Sequence, residues 1–128
     1  MRTRRRNHRD LGIILAVAAA LVSAPSAAQD RDPAARQKLL DLAYVLGEAH
    51  ALKQACEQDS QYWRARMARL IELEKPDLAF QTRLADRFNT GFSAREGQFP
   101  ECSARSRAEA AAVARRGRTL AQALSGIR

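Results

Sequence analysis

Cys56 and Cys102 are the only cysteines in the 128-residue chain. In an oxidising compartment they have one intramolecular pairing available. That pairing closes a loop of roughly 45 residues, which removes ~4 kcal/mol of chain entropy from the unfolded state if the bond is unstrained. It also dictates that two distant points of the chain meet, whatever folds between them. The spacing is far from C-x-x-C, and no basic group is placed by sequence to activate either thiol, so a catalytic redox pair is the weaker reading.

The first 28 residues suggest such a compartment. Met1 to Asp10 is basic, with Arg2, Arg4, Arg5, Arg6 and Arg9 against one acid. Leu11 to Val22 is an uncharged apolar run, followed by small residues ending Ser26-Ala27-Ala28. This order reads as a secretory signal peptide with cleavage after Ala28. The apolar run is shorter than the ~20 residues that span a bilayer, although an uncleaved anchor is the alternative. Polar Asn7 and His8 follow the arginine run, which favours the general secretion route over export of a folded cargo. A periplasmic location follows, with residues 29–128 as a single domain.

Charge divides the chain unevenly. The formal net charge is +8, of which +4 lies in residues 1–28. Residues 29–102 carry eleven cations against twelve acids, and residues 103–128 carry six arginines against Glu109 alone. The expected mature protein is therefore a near-neutral body with a basic C-terminal segment. Arg115, Arg116 and Arg118 cluster within one turn of that segment and are candidate binding residues. A solvated helix face is the competing reading.

Hydrophobic spacing predicts four helices and no strands. Asp32-Pro33 reads as a cap and first helical position. A period near 3.6 then runs through Leu39, Leu42, Leu46 and His50 to about Cys56, with Gly47 as a point of close approach for a neighbour. The second helix spans about Gln61 to Glu74, with Trp63, Met67, Leu70 and Ile71 on one face. Lys75-Pro76-Asp77 ends it, and Pro76 suits the opening turn of the next helix. The third helix carries Phe80, Leu84, Phe88 and Phe92 on one stripe and runs to about Gly97. The fourth starts near Ser103 and runs to about Leu124, with Ala110, Val113, Gly117, Leu120 and Leu124 as its seam. The expected fold is an all-α antiparallel bundle of about four helices with one disulfide staple.

The order Leu46-Gly47-x-x-His50-x-Leu52-x-x-x-Cys56, Trp63-Arg64-x-x-Met67, Pro76, Phe88-Asn89-x-Gly91-Phe92 and Cys102 resembles a family of small exported two-cysteine alphaproteobacterial proteins, a domain of unknown function. The likeness runs from about Leu39 to Leu124. It implies an exported helical protein and brings no activity, ligand or catalytic residue.

The residues themselves offer little catalytic chemistry. After the export segment there is one histidine, His50, with no Cys/His/Asp set at metal-ligand spacing and no Gly-rich phosphate loop. No catalytic residue, cofactor or metal is expected. His50 lies within the apolar stripe of the first helix. It is either a pH-sensitive or acid–base group, or a core histidine hydrogen-bonded to Tyr44, Asn89 or a backbone carbonyl. Asn89 and Gly91 either form a binding notch, or let a helix approach while Asn89 satisfies a buried polar atom. Glu72 and Glu74 are two apart and point to different sides of a helix, so they are not an acid–base pair.

These features favour a non-enzymatic interaction protein that binds another envelope protein or an anionic envelope surface. Nucleic acid is not an expected partner. The alternative is a holdase-like or small-ligand cradle with an exposed apolar groove, for which the Phe80–Phe92 stripe is the candidate. An enzyme using His50 is the third reading, and it lacks a visible partner group.

Overall fold

The computed structural model describes residues 31–126. The expected signal peptide and its cleavage point after Ala28 lie outside the described residues. Four helices fill the described chain: α1 (Pro33–Cys56), α2 (Tyr62–Glu74), α3 (Leu78–Gln98) and α4 (Ala104–Ser125). No strand occurs among the described residues.

Local chemistry explains the boundaries. The Asp32 carboxylate accepts from the Ala35 N–H at 2.7 Å, with Pro33 at the first helical position. Asp77 caps α3 in the same way, accepting from Phe80 N–H at 2.8 Å. Ser103 and Ser106 form a reciprocal capping box at the start of α4. Lys75 ends α2 in the left-handed region with φ 45°, away from the right-handed helical conformation that a following proline disfavours. Pro76 sits before the Asp77 cap rather than inside the first turn of α3. The carboxylate cap outcompetes it for that end of the helix.

Consecutive helices run antiparallel, but the tightest pair is parallel. Arg36 lies over Phe80, Arg87 over Tyr44, and Arg95 beside Glu48, so numbering rises together along α1 and α3. Arg31 reaches Leu124 and Cys56 bonds Cys102, so α4 descends along α1. Arg31 also pairs with Glu74 at the end of α2. Helix α1 is the one element that packs extensively on all three others. From Val45 to Leu52 every residue of α1 is buried, so it is a central helix rather than an amphipathic one.

From Phe80 to Phe88 the phenylalanine stripe is core, not groove. Phe80, Leu84 and Phe88 are 1%, 0% and 6% exposed and join Leu39, Ala43 and Met67 in the main cluster. The apolar cradle expected along Phe80–Phe92 is thereby overturned for Phe80 to Phe88, while Phe92 is half-buried beside Ala51 and Phe99. α3 spends that stripe on α1, and truncating a buried phenylalanine of this kind costs about 3–5 kcal/mol. A second cluster joins Val45, Ala49 and Leu52 of α1 to Val113 of α4.

The disulfide forms between Cys56, the last residue of α1, and Cys102, just before the α4 cap, with Cα atoms 4.7 Å apart. It ties the two helix ends together as the cysteine count and export reading anticipate.

Candidate functional site

Because α3 lies so close to α1, α4 rests on α1 without packing extensively on α2 or α3. Both flanks of α4 are left open as grooves with α1 as their floor. The α3-side groove has a volume of about 580 Å³ and presents Tyr44, Arg87, Arg115, Arg116 and Asp41. The α2-side groove has about 460 Å³ and is mainly apolar, with Leu42, Leu46, Trp63 and Leu70 flanked by Arg66 and Arg118. Tyr62 and Leu73 border it and are 50% and 57% exposed. Arg66 stacks over the Tyr62 ring, its guanidinium carbon 4.5 Å from the centroid, and donates to the Tyr62 hydroxyl.

The helices framing these grooves are held by two buried carboxylates. Glu48, only 3% exposed, accepts from Arg95 Nε of α3 at 2.8 Å and from Arg116 Nη2 of α4 at 2.9 Å. Arg95 in turn lies 3.5 Å from Glu109 of α4. At the other end of the bundle, Glu74 takes two hydrogen bonds from Arg31, at 2.7 and 2.8 Å. Such paired forks fix geometry as well as charge.

The structure divides the arginine cluster. Arg115 and Arg116 line the α3-side groove, while Arg118 lines the α2-side groove. Arg116 is also half committed to Glu48, so it braces the fold rather than standing free. Arg116 and Arg118 are about 200° apart around α4 and so fall on opposite flanks, whereas Arg115 is only about 60° from Arg118 and reaches the α3-side groove from the outer face of the helix.

Asn89 is exposed and satisfies no buried atom, contrary to expectation. There is no notch at Gly91, because the Tyr44 carbonyl fills it. His50 is buried, with ring centroids 5.7 Å from Phe88 and 5.4 Å from Phe92. Its Nδ1 has no hydrogen-bond partner, and the expected hydrogen bond of the ring to Tyr44, Asn89 or a carbonyl does not form among the described residues. The Phe88 and Phe92 rings of α3 pack against it instead. Burial, helped by the charge of Arg64, lowers its pKa below 6.5 and keeps it neutral. It lines neither groove.

Glu48, Glu74 and Arg87 escape a reading of the sequence that treats charges as solvated. One signal was available: Glu48 is the lone acidic or basic residue, histidine aside, between Asp41 and Lys53. Among the described residues no group of three His, Cys, Asp or Glu side chains is placed to hold a metal.

A family model described as a protein of unknown function, DUF2385, matches residues 35–126, from the first turn of α1 to the end of α4. The chain belongs to this family. The match to DUF2385 thus covers the disulfide, the Glu48 network and both grooves. No curated protein and no solved structure matches the chain.

Proposed function

We propose that the protein is an exported, non-enzymatic binding module of the cell envelope. Its recognition surface is the α2-side groove, which takes an amphipathic segment of a partner protein bearing acidic side chains beside its apolar face. The observation that carries this reading is the groove itself. Its floor of Leu42 and Leu46 and its wall of Trp63, Leu70 and Leu73 are apolar, and Arg66 and Arg118 stand at its border. An apolar cleft bordered by one sign of charge favours a complementary amphipathic ligand. No described helix is long and apolar enough to cross a membrane, which is compatible with a role in solution. Export is supported by the order of residues 1–28 and by the disulfide.

Trp63 is the only tryptophan in the chain and lines the groove, so its emission reports occupancy. Titration with an amphipathic helical peptide flanked by glutamates should give a saturable blue shift. The double variant R66E/R118E should weaken binding about tenfold or more, and a lysine-flanked peptide should not bind. A shift produced by anionic vesicles but not by the peptide would overturn the protein-partner reading, as would a shift that depends only on protein concentration. N-terminal sequencing of the exported chain should begin at Gln29; an intact chain in the cytosol would overturn the export reading.

A further inference from the structure

We propose that the α3-side groove is a binding site for a phosphate ester, held by Arg87 from one wall and Arg115 from the other. It lies across α4 from the surface argued above and stands independently of it.

Arg87 is the decisive residue. It is half-buried on α3, with its guanidinium carbon 4.7 Å from the centroid of the Tyr44 ring. Its Nε is shielded from water and has no acceptor. Arg31 and Arg95 are also half-buried, and each holds a carboxylate. Among the described residues no carboxylate pairs with Arg87. The half-buried guanidinium carries a charge that no carboxylate balances, and an oxyanion in the groove would supply that counter-charge through the terminal nitrogens.

Arg115 faces the same groove from α4, is exposed, and forms no ion pair among the described residues. Arg116 adds positive field, although one of its nitrogens is bound to Glu48. The one acid of the lining, Asp41, already accepts from Gln37 Nε2 at 2.9 Å. Two guanidinium forks on facing walls suit an oxyanion with several acceptor oxygens better than a single carboxylate. At about 580 Å³ the groove is larger than a bare ion needs, and Val45, Leu120 and the Tyr44 ring make part of it apolar. That apolar part suits an organic body on the phosphate. Two sources share that chemistry: a soluble phosphate ester and a glycerophospholipid headgroup.

The test follows the arginine Nε–Hε resonances of the isotope-labelled exported chain while glycerol 3-phosphate is added. Arg87 and Arg115 should shift together and saturate at millimolar concentrations or below. R115Q alters an exposed side chain, and it and R87Q should each raise Kd about tenfold or more. R105Q, an exposed arginine about 15 Å back along α4, should leave Kd within about twofold. Phosphatidylglycerol vesicles that bind wild type, lose R115Q and are displaced by glycerol 3-phosphate would assign the lipid source. With vesicles that do not compete, the soluble ester is the ligand. The proposal is overturned if Arg87 shows no saturable shift, if sodium chloride at equal ionic strength reproduces it, or if R105Q weakens binding as much as R115Q.

Discussion

Gly47 of α1 and Gly91 of α3 are each packed against the other helix's backbone. A Cβ on Gly47 would lie 1.9 Å from the Phe88 carbonyl oxygen, and one on Gly91 would lie 2.1 Å from the Tyr44 carbonyl oxygen. Glycine inside a helix costs ~1 kcal/mol against alanine, and here the close packing of two parallel helices offsets that cost. In an up-down-up-down bundle the first and third helices usually sit on a diagonal. Contact across that diagonal leaves α2 and α4 standing apart, which opens the grooves on either side of α4.

Alanine at either glycine must push the helices apart, because the obstructing atoms are backbone and no rotamer relieves them. G47A and G91A should each destabilise by about 3 kcal/mol, at the upper end of overpacking penalties. G97A meets nothing within 4 Å and should stabilise by up to ~1 kcal/mol. Urea unfolding of the three variants checks the contrast.

Removing Glu48 leaves Arg95 and Arg116 without their shared acceptor. E48A should cost about 3 kcal/mol or more, and the loss should spread to both α3 and α4. R116A should cost less, since that side chain is half-exposed. Thermal unfolding with hydrogen exchange on α3 and α4 measures both effects.

His50 should make stability depend on pH with a defined sign. Its folded pKa lies below 6.5, so the unfolded chain binds the proton more readily. The stability it contributes is fully present above about pH 6.5 and is lost as pH falls through the lower folded value. H50L should remove that part of the pH dependence. Its unfolding free energy at neutral pH should change little, because the buried Nδ1 has no bond to lose. Chemical denaturation at a series of pH values from neutral to mildly acidic tests the sign.

Reduction of Cys56–Cys102 should lower stability by up to ~4 kcal/mol, the chain-entropy value for a loop of this size. C56S/C102S should behave like the reduced wild type. Melting curves with and without reductant, together with the variant, read the effect. A melting temperature unchanged by reductant would remove the disulfide from the list of stabilising features.

Much of the local structure was legible in the sequence. Asp32-Pro33, Lys75-Pro76-Asp77 and Ser103 mark where helices start and stop, because caps and proline act through neighbouring backbone atoms. The even cysteine pair beside an apparent export segment pointed to the staple. Gly47 marked a close approach, since a mid-helix glycine is costly unless something needs the room.

What the sequence could not determine depends on which surfaces meet. It placed Arg115, Arg116 and Arg118 together, while the seating of α4 on α1 sends two to one groove and the third to the other. It suggested a partner for His50, yet the Phe88 and Phe92 rings surround it and Nδ1 has none. Periodicity made α1 amphipathic, but α1 is central, which buries Glu48 and obliges α3 and α4 to bring it arginines. Caps and periods are short-range signals encoded within a few residues. Burial of a charge, or its release into a groove, is decided by side chains roughly fifty to seventy positions away, and only the folded arrangement brings those together.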